Sequence, residues 1–337
     1  IKTALGNEGT LTQTDDGLNT YAGVGSLGNI TTDNNGTINA IQNTAFGYNT
    51  LYSCETCDGN TAIGYQAMKY QQGDYNIALG YNAMAKHLDN GAVSTGYSNI
   101  AIGDSAMRDG ISGTSNIAIG SYAMSESSSV GSYNIAIGGS TLSLNTNGSN
   151  NIAIGGSALY NNTTGSYNIA FGIGAMSSNR SGGGNIAIGQ KALNDSEDDS
   201  NIVAIGAYAL EDNKGGSFNT ALGYAALTQN TTGDYNTAIG DSALSYLTIG
   251  EANTAIGASA LPELVGGTRN IGIGRQAGLN LSNGSDNILI GVLAARGAGD
   301  TLESHDLIVI GSNGLYNNDT GGASVVIGSG ALYNSPS

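Results

Sequence analysis

The sequence predicts an all-β chain folded as a parallel β-solenoid, or β-roll. Three observations predict it. One motif recurs along the chain: Asn, Ile or Thr, Ala, Ile or Leu, Gly, any two residues, Ala, Leu or Met. Its period is 17 residues at every step from Gly138 to Gly291. That is too short for a helical-hairpin repeat, which needs about 33 residues or more. Glycine supplies 54 of 337 residues, roughly twice the usual ~7%, and one in every motif disfavours helix.

The motif glycines are Gly47, Gly64, Gly80, Gly103, Gly120, Gly138, Gly155, Gly172, Gly189, Gly206, Gly223, Gly240, Gly257, Gly274, Gly291, Gly311 and Gly328. Gly6 and Gly25 are read as marking two worn N-terminal copies. The array then holds about nineteen coils. At ~3.3 Å per residue, one unit traces a closed coil with two short strands and two turns. The chain reads as a single array over 1–337, with irregular coils over 1–40 and regular ones over 41–337. It starts inside one repeat and stops inside another, as a piece of something longer would.

Each column of the repeat implies a place in the coil. The residue before the motif Gly is always large and apolar: Phe46, Ile63, Leu79, Ile102, Ile119, Ile137, Ile154, Phe171, Ile188, Ile205, Leu222, Ile239 and Ile256. This column is expected to stack as the core ladder, with the Leu or Met four residues after the Gly (Met68, Met124, Leu142, Leu159). The residue two before the Gly is Ala from Ala45 to Ala255. Strand alternation puts it on the opposite face, so it is expected to point outward and pack against another chain. The column three before the Gly holds Ile or Thr, both suited to strands. The motif Asn (Asn76, Asn116, Asn151, Asn168, Asn185) is expected to form an amide ladder or cap a turn. The Gly is expected to supply a positive φ at the strand bend. The second turn, as in Asn162–Tyr167 and Asn230–Tyr235, reads as polar and exposed.

Charge excludes several function classes. Asp and Glu number 26 against 10 Lys and Arg, for a formal net charge of −16. Few phosphates could be neutralised, so no nucleic-acid partner is expected. No apolar run approaches the ~20 residues of a membrane span, so no membrane insertion is expected. Pro is scarce and Gly-X-Y periodicity is missing, which excludes collagen. Two His and two Cys leave little for metal or nucleophile chemistry. No cofactor, no metal site and no enzymatic activity are expected.

Asn-Ile-Ala-Ile-Gly-x-x-Ala-Met, as at Asn116–Met124, resembles the head repeats of trimeric autotransporter adhesins. Asn253–Gly257 and the Asn-Thr-Thr-Gly turns are similar to repeat arrays in the tail fibres of tailed bacteriophages and in bacterial surface proteins. The resemblance covers nearly the whole chain and implies a left-handed parallel β-roll in a homotrimer. The 17-residue period departs from the shorter autotransporter unit.

Candidate sites are few. Cys54 and Cys57 admit three readings: a local disulfide, which is favoured, free thiols, or a metal site. A disulfide would indicate an oxidising, extracellular or virion-surface setting. The acidic turn Asn194–Asp199 reads as a solvated loop, with Ca²⁺ as the alternative. Three stretches break the period: Gly25–Gly47, Gly80–Gly103 and Gly291–Gly311. Their Lys86, His87, Asp89, Arg296 and His305 are the candidate receptor contacts, since long turns often bind. Tyr48, Tyr65 and Tyr81 follow motif glycines, and Tyr75, Tyr133, Tyr167 and Tyr235 precede motif asparagines. They cover turns or stack on sugar rings.

The functional expectation is a structural and adhesive fibre segment. The leading form is a phage tail-fibre shaft or head, located on a virion surface and contacting a cell-surface glycan or protein receptor. The alternatives are a bacterial surface adhesin, an end-to-end extracellular filament, and, lower, a polysaccharide depolymerase or an ice-binding solenoid.

Overall fold

The computed structural model describes residues 3–5, 9–13, 18–29, 39–86, 94–109, 112–126, 131–296, 304–315 and 323–332. The chain forms two compact units, Ile1–Asn168 and Ile169–Ser337. The first carries β1 (Thr3–Leu5), β2 (Gly9–Gln13), β3 (Thr20–Ala22), β4 (Thr44–Phe46), β5 (Thr61–Ile63), β6 (Ile77–Leu79), β7 (Ile100–Ile102), β8 (Ile117–Ile119), β9 (Ile135–Ile137) and β10 (Ile152–Ile154). The second carries β11 (Ile169–Phe171), β12 (Ile186–Ile188), β13 (Val203–Ile205), β14 (Thr220–Leu222), β15 (Thr237–Ile239), β16 (Thr254–Ile256), β17 (Ile271–Ile273), β18 (Ile288–Ile290), β19 (Leu307–Ile310) and β20 (Ser324–Ile327). Among the described residues there is no helix, and so none long and apolar enough to cross a membrane.

Within each unit, consecutive motif strands pair in parallel and in register, so like residues stack. Ala45 lies on Ala62 and Ile63 on Leu79; Ala187 lies on Ala204 and Ile188 on Ile205. Each unit is therefore a parallel β-solenoid. The N-terminus departs from this pattern. β1 and β2 pair antiparallel, as do β2 and β3, so Thr3-Ala4-Leu5 is a meander strand and not a coil. Gly6 lies outside the described residues. The next copy is centred on Gly23, not on Gly25. Gly23 has φ 125°, and Asn19 and Leu27 fill the buried Asn and Leu columns around it.

The strand faces are the reverse of the expectation. The Ala column is the interior one: Ala45, Ala62, Ala118, Ala170, Ala187 and Ala238 are all 0% exposed. The expected core ladder points outward. Ile63 is 41% and Phe171 52% exposed, and Ile188, Leu222 and Ile256 are exposed as well. Phe46, Leu79, Ile102, Ile119, Ile137, Ile154, Ile205 and Ile239 are half-buried. The reason is the narrow bore of the coil. Opposite the strand, a second Ala and the Leu or Met column, such as Ala158 with Leu159 or Ala192 with Leu193, fill the inside completely. At crystal-like packing density only a methyl group fits between them. The C-terminal coils of the second unit test this. Where Leu289 enters the strand interior, the facing residue shrinks to Ala295, and the adjacent coil carries Gly272 and Gly278. A Cβ on Gly278 would lie 2.6 Å from Leu261 Cδ2 and 2.7 Å from Leu289 Cδ1.

The second expected strand is absent from the described coils. Instead, residues two and four after the Gly adopt left-handed conformations, as in Ser157 (φ 56°) and Leu159 (φ 51°) or Lys191 (54°) and Leu193 (52°). So does the residue before the motif Asn, as in Tyr167 (61°). These bends keep the chain from extending, yet the coils still hydrogen-bond: Leu193 N–H donates to Ala209 O at 2.9 Å and Leu210 N–H to Ala226 O at 3.0 Å. No Val, Ile or Thr occupies any of these positive-φ positions, where a β-branched side chain is a genuine outlier. This explains why the large residue of the inner column is Leu or Met and never Ile. The motif Gly is required twice over: Gly47 has φ 141°, and a Cβ there would lie 2.1 Å from the carbonyl oxygen of Gly64.

Two amide systems line the interior. The motif Asn forms a ladder: Asn253 N–H donates to Asn236 Oδ1 at 2.9 Å, and Asn236 Nδ2 donates to Gly250 O at 2.8 Å. The same pair of bonds recurs at Asn134, Asn151 and Asn270. The second system lies in the turn expected to be exposed. Asn145, Asn162, Asn213 and Asn230 are fully buried, and each donates to the carbonyl three residues on, as Asn162 does to Gly165 at 3.0 Å. Buried polar groups must find such partners. The outer part of the turn, Thr164 and Tyr167, is exposed.

Candidate binding groove and the coil turns

The coil is a scaffold on which every column repeats, so a site arises only where columns change. Cys54 and Cys57 stand where other coils carry the inner Asn and Gly. They form a disulfide, with Cα atoms 5.5 Å apart and both residues fully buried. It replaces covalently the hydrogen bond that Asn162 makes to Gly165. In the second unit, Ser196 and Asp199 make the same link through Ser196 Oγ donating to Asp199 Oδ2 at 2.8 Å.

That Ser196–Asp199 link sits in the acidic turn, whose carboxylates are occupied by protein donors. Arg180 pairs with Glu197 at 3.1 Å, Ser181 Oγ donates to Asp198 at 2.6 Å, and Asn213 Nδ2 donates to Asp199 at 2.8 Å. Burial pushes the Asp199 carboxyl above the usual carboxylate range, against the lowering effect of the Ser196 and Asn213 bonds. No group of three or more His, Cys, Asp or Glu that could hold a metal ion occurs among the described residues.

Of the candidate receptor contacts, Lys86 belongs to the first unit and Arg296 and His305 to the second. His87 and Asp89 lie outside the described residues. His305 belongs to a ladder of turn acceptors, its Nδ1 accepting from Ser285 N–H at 3.2 Å, just as Ser285 Oγ accepts from Thr268 N–H at 3.1 Å. Arg296 N–H donates to Leu315 O at 3.1 Å. Lys86 lines a cavity.

That cavity is a groove of about 340 Å³ across the coils that begin at Gly64, Gly80 and Gly103. It is lined by Tyr65, Tyr81, Lys69, Lys86, Arg108 and Asn82, with Gln66, Tyr70 and Ala85 between. Lys86 is only 7% exposed, and its Nζ has no hydrogen-bond partner. Asn82 Oδ1 is likewise buried without a partner. Tyr48, Tyr65 and Tyr81 stack on one another at 5.3 and 5.2 Å with nearly parallel planes. The next coil has Asp104 in that column. Lys69 Nζ lies 4.9 Å from the Tyr70 ring centre.

The sequence reading found Lys86 but missed its companions. The signal was present in the columns: Lys69, Lys86 and Arg108 fall five, six and five residues after successive motif glycines. Adjacent coils thus carry a cation at nearly the same place. Comparison with known protein families and with curated proteins finds no match to this chain.

Proposed function

We propose that the chain is a non-enzymatic segment of a homotrimeric extracellular fibre, a shaft or head of the phage tail-fibre kind that presents a receptor-binding surface. The observation that carries this reading is the outer face of the strands. Each coil turns two side chains outward, such as Ile186 with Ile188 and Thr220 with Leu222, in most coils over an interior Ala. Along the strands from β11 to β20 this makes a continuous, largely apolar stripe, and contiguous exposed apolar surface marks interaction sites. A stripe built from one repeated unit is complementary to copies of itself. The number three comes from the resemblance to autotransporter heads and phage fibres.

Other features support the setting. The Cys54–Cys57 disulfide suits an oxidising, extracellular or virion-surface location. Dense coil-to-coil hydrogen bonding suits a stiff, protease-resistant spacer, and many like turns in three chains suit multivalent attachment.

The test is sedimentation equilibrium of the chain and of an Ile188→Asp, Ile205→Asp variant. A trimer that falls to monomer in the variant supports the reading; a monomeric parent refutes it. Mass that grows with concentration, with filaments in electron micrographs, favours end-to-end assembly instead.

A further inference from the structure

We propose that the groove formed by Tyr65, Lys69, Tyr81, Asn82, Lys86 and Arg108 binds an acidic saccharide, a sugar bearing a carboxylate or sulfate beside a free hydroxyl. The proposal deepens the adhesive part of the reading above and rests on it only for its biological use. Binding is a property of one chain's groove.

Charge comes first. The chain has 10 Lys and Arg against 26 Asp and Glu, yet three of the ten line this one groove, and among the described residues no carboxylate does. Three cations of the second unit pair with acids across coils: Arg180 with Glu197, Lys191 with Glu211, Arg269 with Asp286. Arg108 Nε pairs with Asp109 at 3.1 Å, but a guanidinium has further N–H donors. Lys86 has no such partner. Burying an ammonium without pairing is costly, so an anion entering the groove would be favoured by what the fold leaves unsatisfied.

The second unsatisfied atom defines the ligand more closely. Asn82 Oδ1 is an acceptor, and Lys86 Nζ is a donor four residues on. A ligand that satisfies both must offer an O–H donor as well as an anionic acceptor. A uronic acid or a sulfated sugar does so on one ring; inorganic sulfate, which carries no proton at neutral pH, does not. The amide of Gln66 adds a further donor and acceptor for hydroxyls. Tyr81, 55% exposed at the end of its stack, offers an amphipathic ring of the sort that sugars pack against. The volume of about 340 Å³ lies at the small end of ligand clefts, suited to roughly one or two sugar rings.

The test is titration calorimetry of the whole chain with four probes: trigalacturonate, its methyl ester, a chondroitin sulfate tetrasaccharide and inorganic sulfate. The expected result is binding of at least one acidic saccharide. Binding should weaken at least tenfold in Lys69→Gln and Arg108→Gln, both at the groove rim. Asn82→Asp should abolish it by adding a like charge, and Lys214→Gln in the second unit should leave it unchanged. If the carboxylate is recognised, esterification removes binding; if sulfate is, only the tetrasaccharide binds. The proposal is overturned if neither acidic saccharide binds, if the ester binds as well as the acid, if inorganic sulfate matches the sugars, or if the rim variants bind normally. Sedimentation of the same samples reports oligomeric state separately, so loss of the trimer and loss of the groove are distinguishable.

Discussion

Replacing Asn236 by Ala should open the solenoid locally by several kcal/mol. Asn236 Oδ1 accepts from the backbone N–H of Asn253 at 2.9 Å, and Asn236 Nδ2 donates to the backbone carbonyl of Gly250 at 2.8 Å. Both Asn residues are fully buried. Alanine removes both bonds, together with the one that Asn253 Nδ2 donates to the same oxygen at 3.1 Å, and gives neither backbone group another partner. A buried group left unsatisfied costs about 1–3 kcal/mol, so two cost about 2–6 kcal/mol. The Asn253 side chain still donates to Gly267 O at 2.8 Å, so it adds little to the sum. Repeat arrays respond through nearest-neighbour terms rather than as one two-state unit, so a global melting temperature is the wrong readout. Hydrogen exchange of peptides spanning Gly250–Ile256 is the right one. Their protection should fall by at least ~30-fold, following the factor of ten per ~1.4 kcal/mol that links free energy to an equilibrium constant. The control is Asn147→Ala, at an exposed turn position, which should change protection by no more than ~0.5 kcal/mol. Equal effects at the two sites would refute the ladder's energetic role.

Three further outcomes follow from the same geometry. Leu159→Ile should destabilise its coil by about 1–2 kcal/mol, because φ 51° is hostile to a β-branched side chain. Leu159→Met should be nearly neutral, since Met124 fills that column in the same unit; hydrogen exchange of peptides spanning Leu159 that ranks the two alike would contradict this. Asp199 has its carboxyl pKa raised by burial, so the folded chain holds that proton more tightly than the unfolded one. The stability this gives is full below the unfolded pKa and is lost as pH rises through the folded value. Asp199→Asn should abolish this pH dependence and stabilise the coil at neutral pH, as read by urea unfolding from about pH 4, near the unfolded carboxylate value, up to neutrality. Cleaving the Cys54–Cys57 disulfide should cost about 2 kcal/mol, small because the loop is short. Cys54→Asn with Cys57→Gly, the pair other coils use, should recover part of it in the same unfolding assay.

The strand residues show how far one sequence reads. Period, strand class and the motif Gly's positive φ all follow from the columns themselves, because each is a local requirement on a repeated residue. The amide ladder at Asn236 and Asn253 was open to inference for the same reason. The faces were not. Alternation says that Ala187 and Ile188 point opposite ways, but not which way is inward, and hydrophobicity alone favours the wrong answer. The inner Asn162 and Asn230 were hidden likewise, since a polar turn residue looks solvated until its partner three residues on is seen. In the groove, Lys86 stood out only for lying in an irregular turn. Its companions Lys69 and Arg108 needed the coil-to-coil stacking to be brought beside it.

The sequence by itself determined a parallel solenoid of 17-residue coils, its glycine bends and its lack of basic charge. These rest on backbone sterics and counting, which the order of residues carries in full. Only the tertiary structure decided that the bore admits Ala and excludes Ile, and that the large apolar rows therefore face outward. Interior volume is set by the side chains across the coil. Leu159 or Met176, held inward by a left-handed backbone, leaves the strand room for no more than a methyl group.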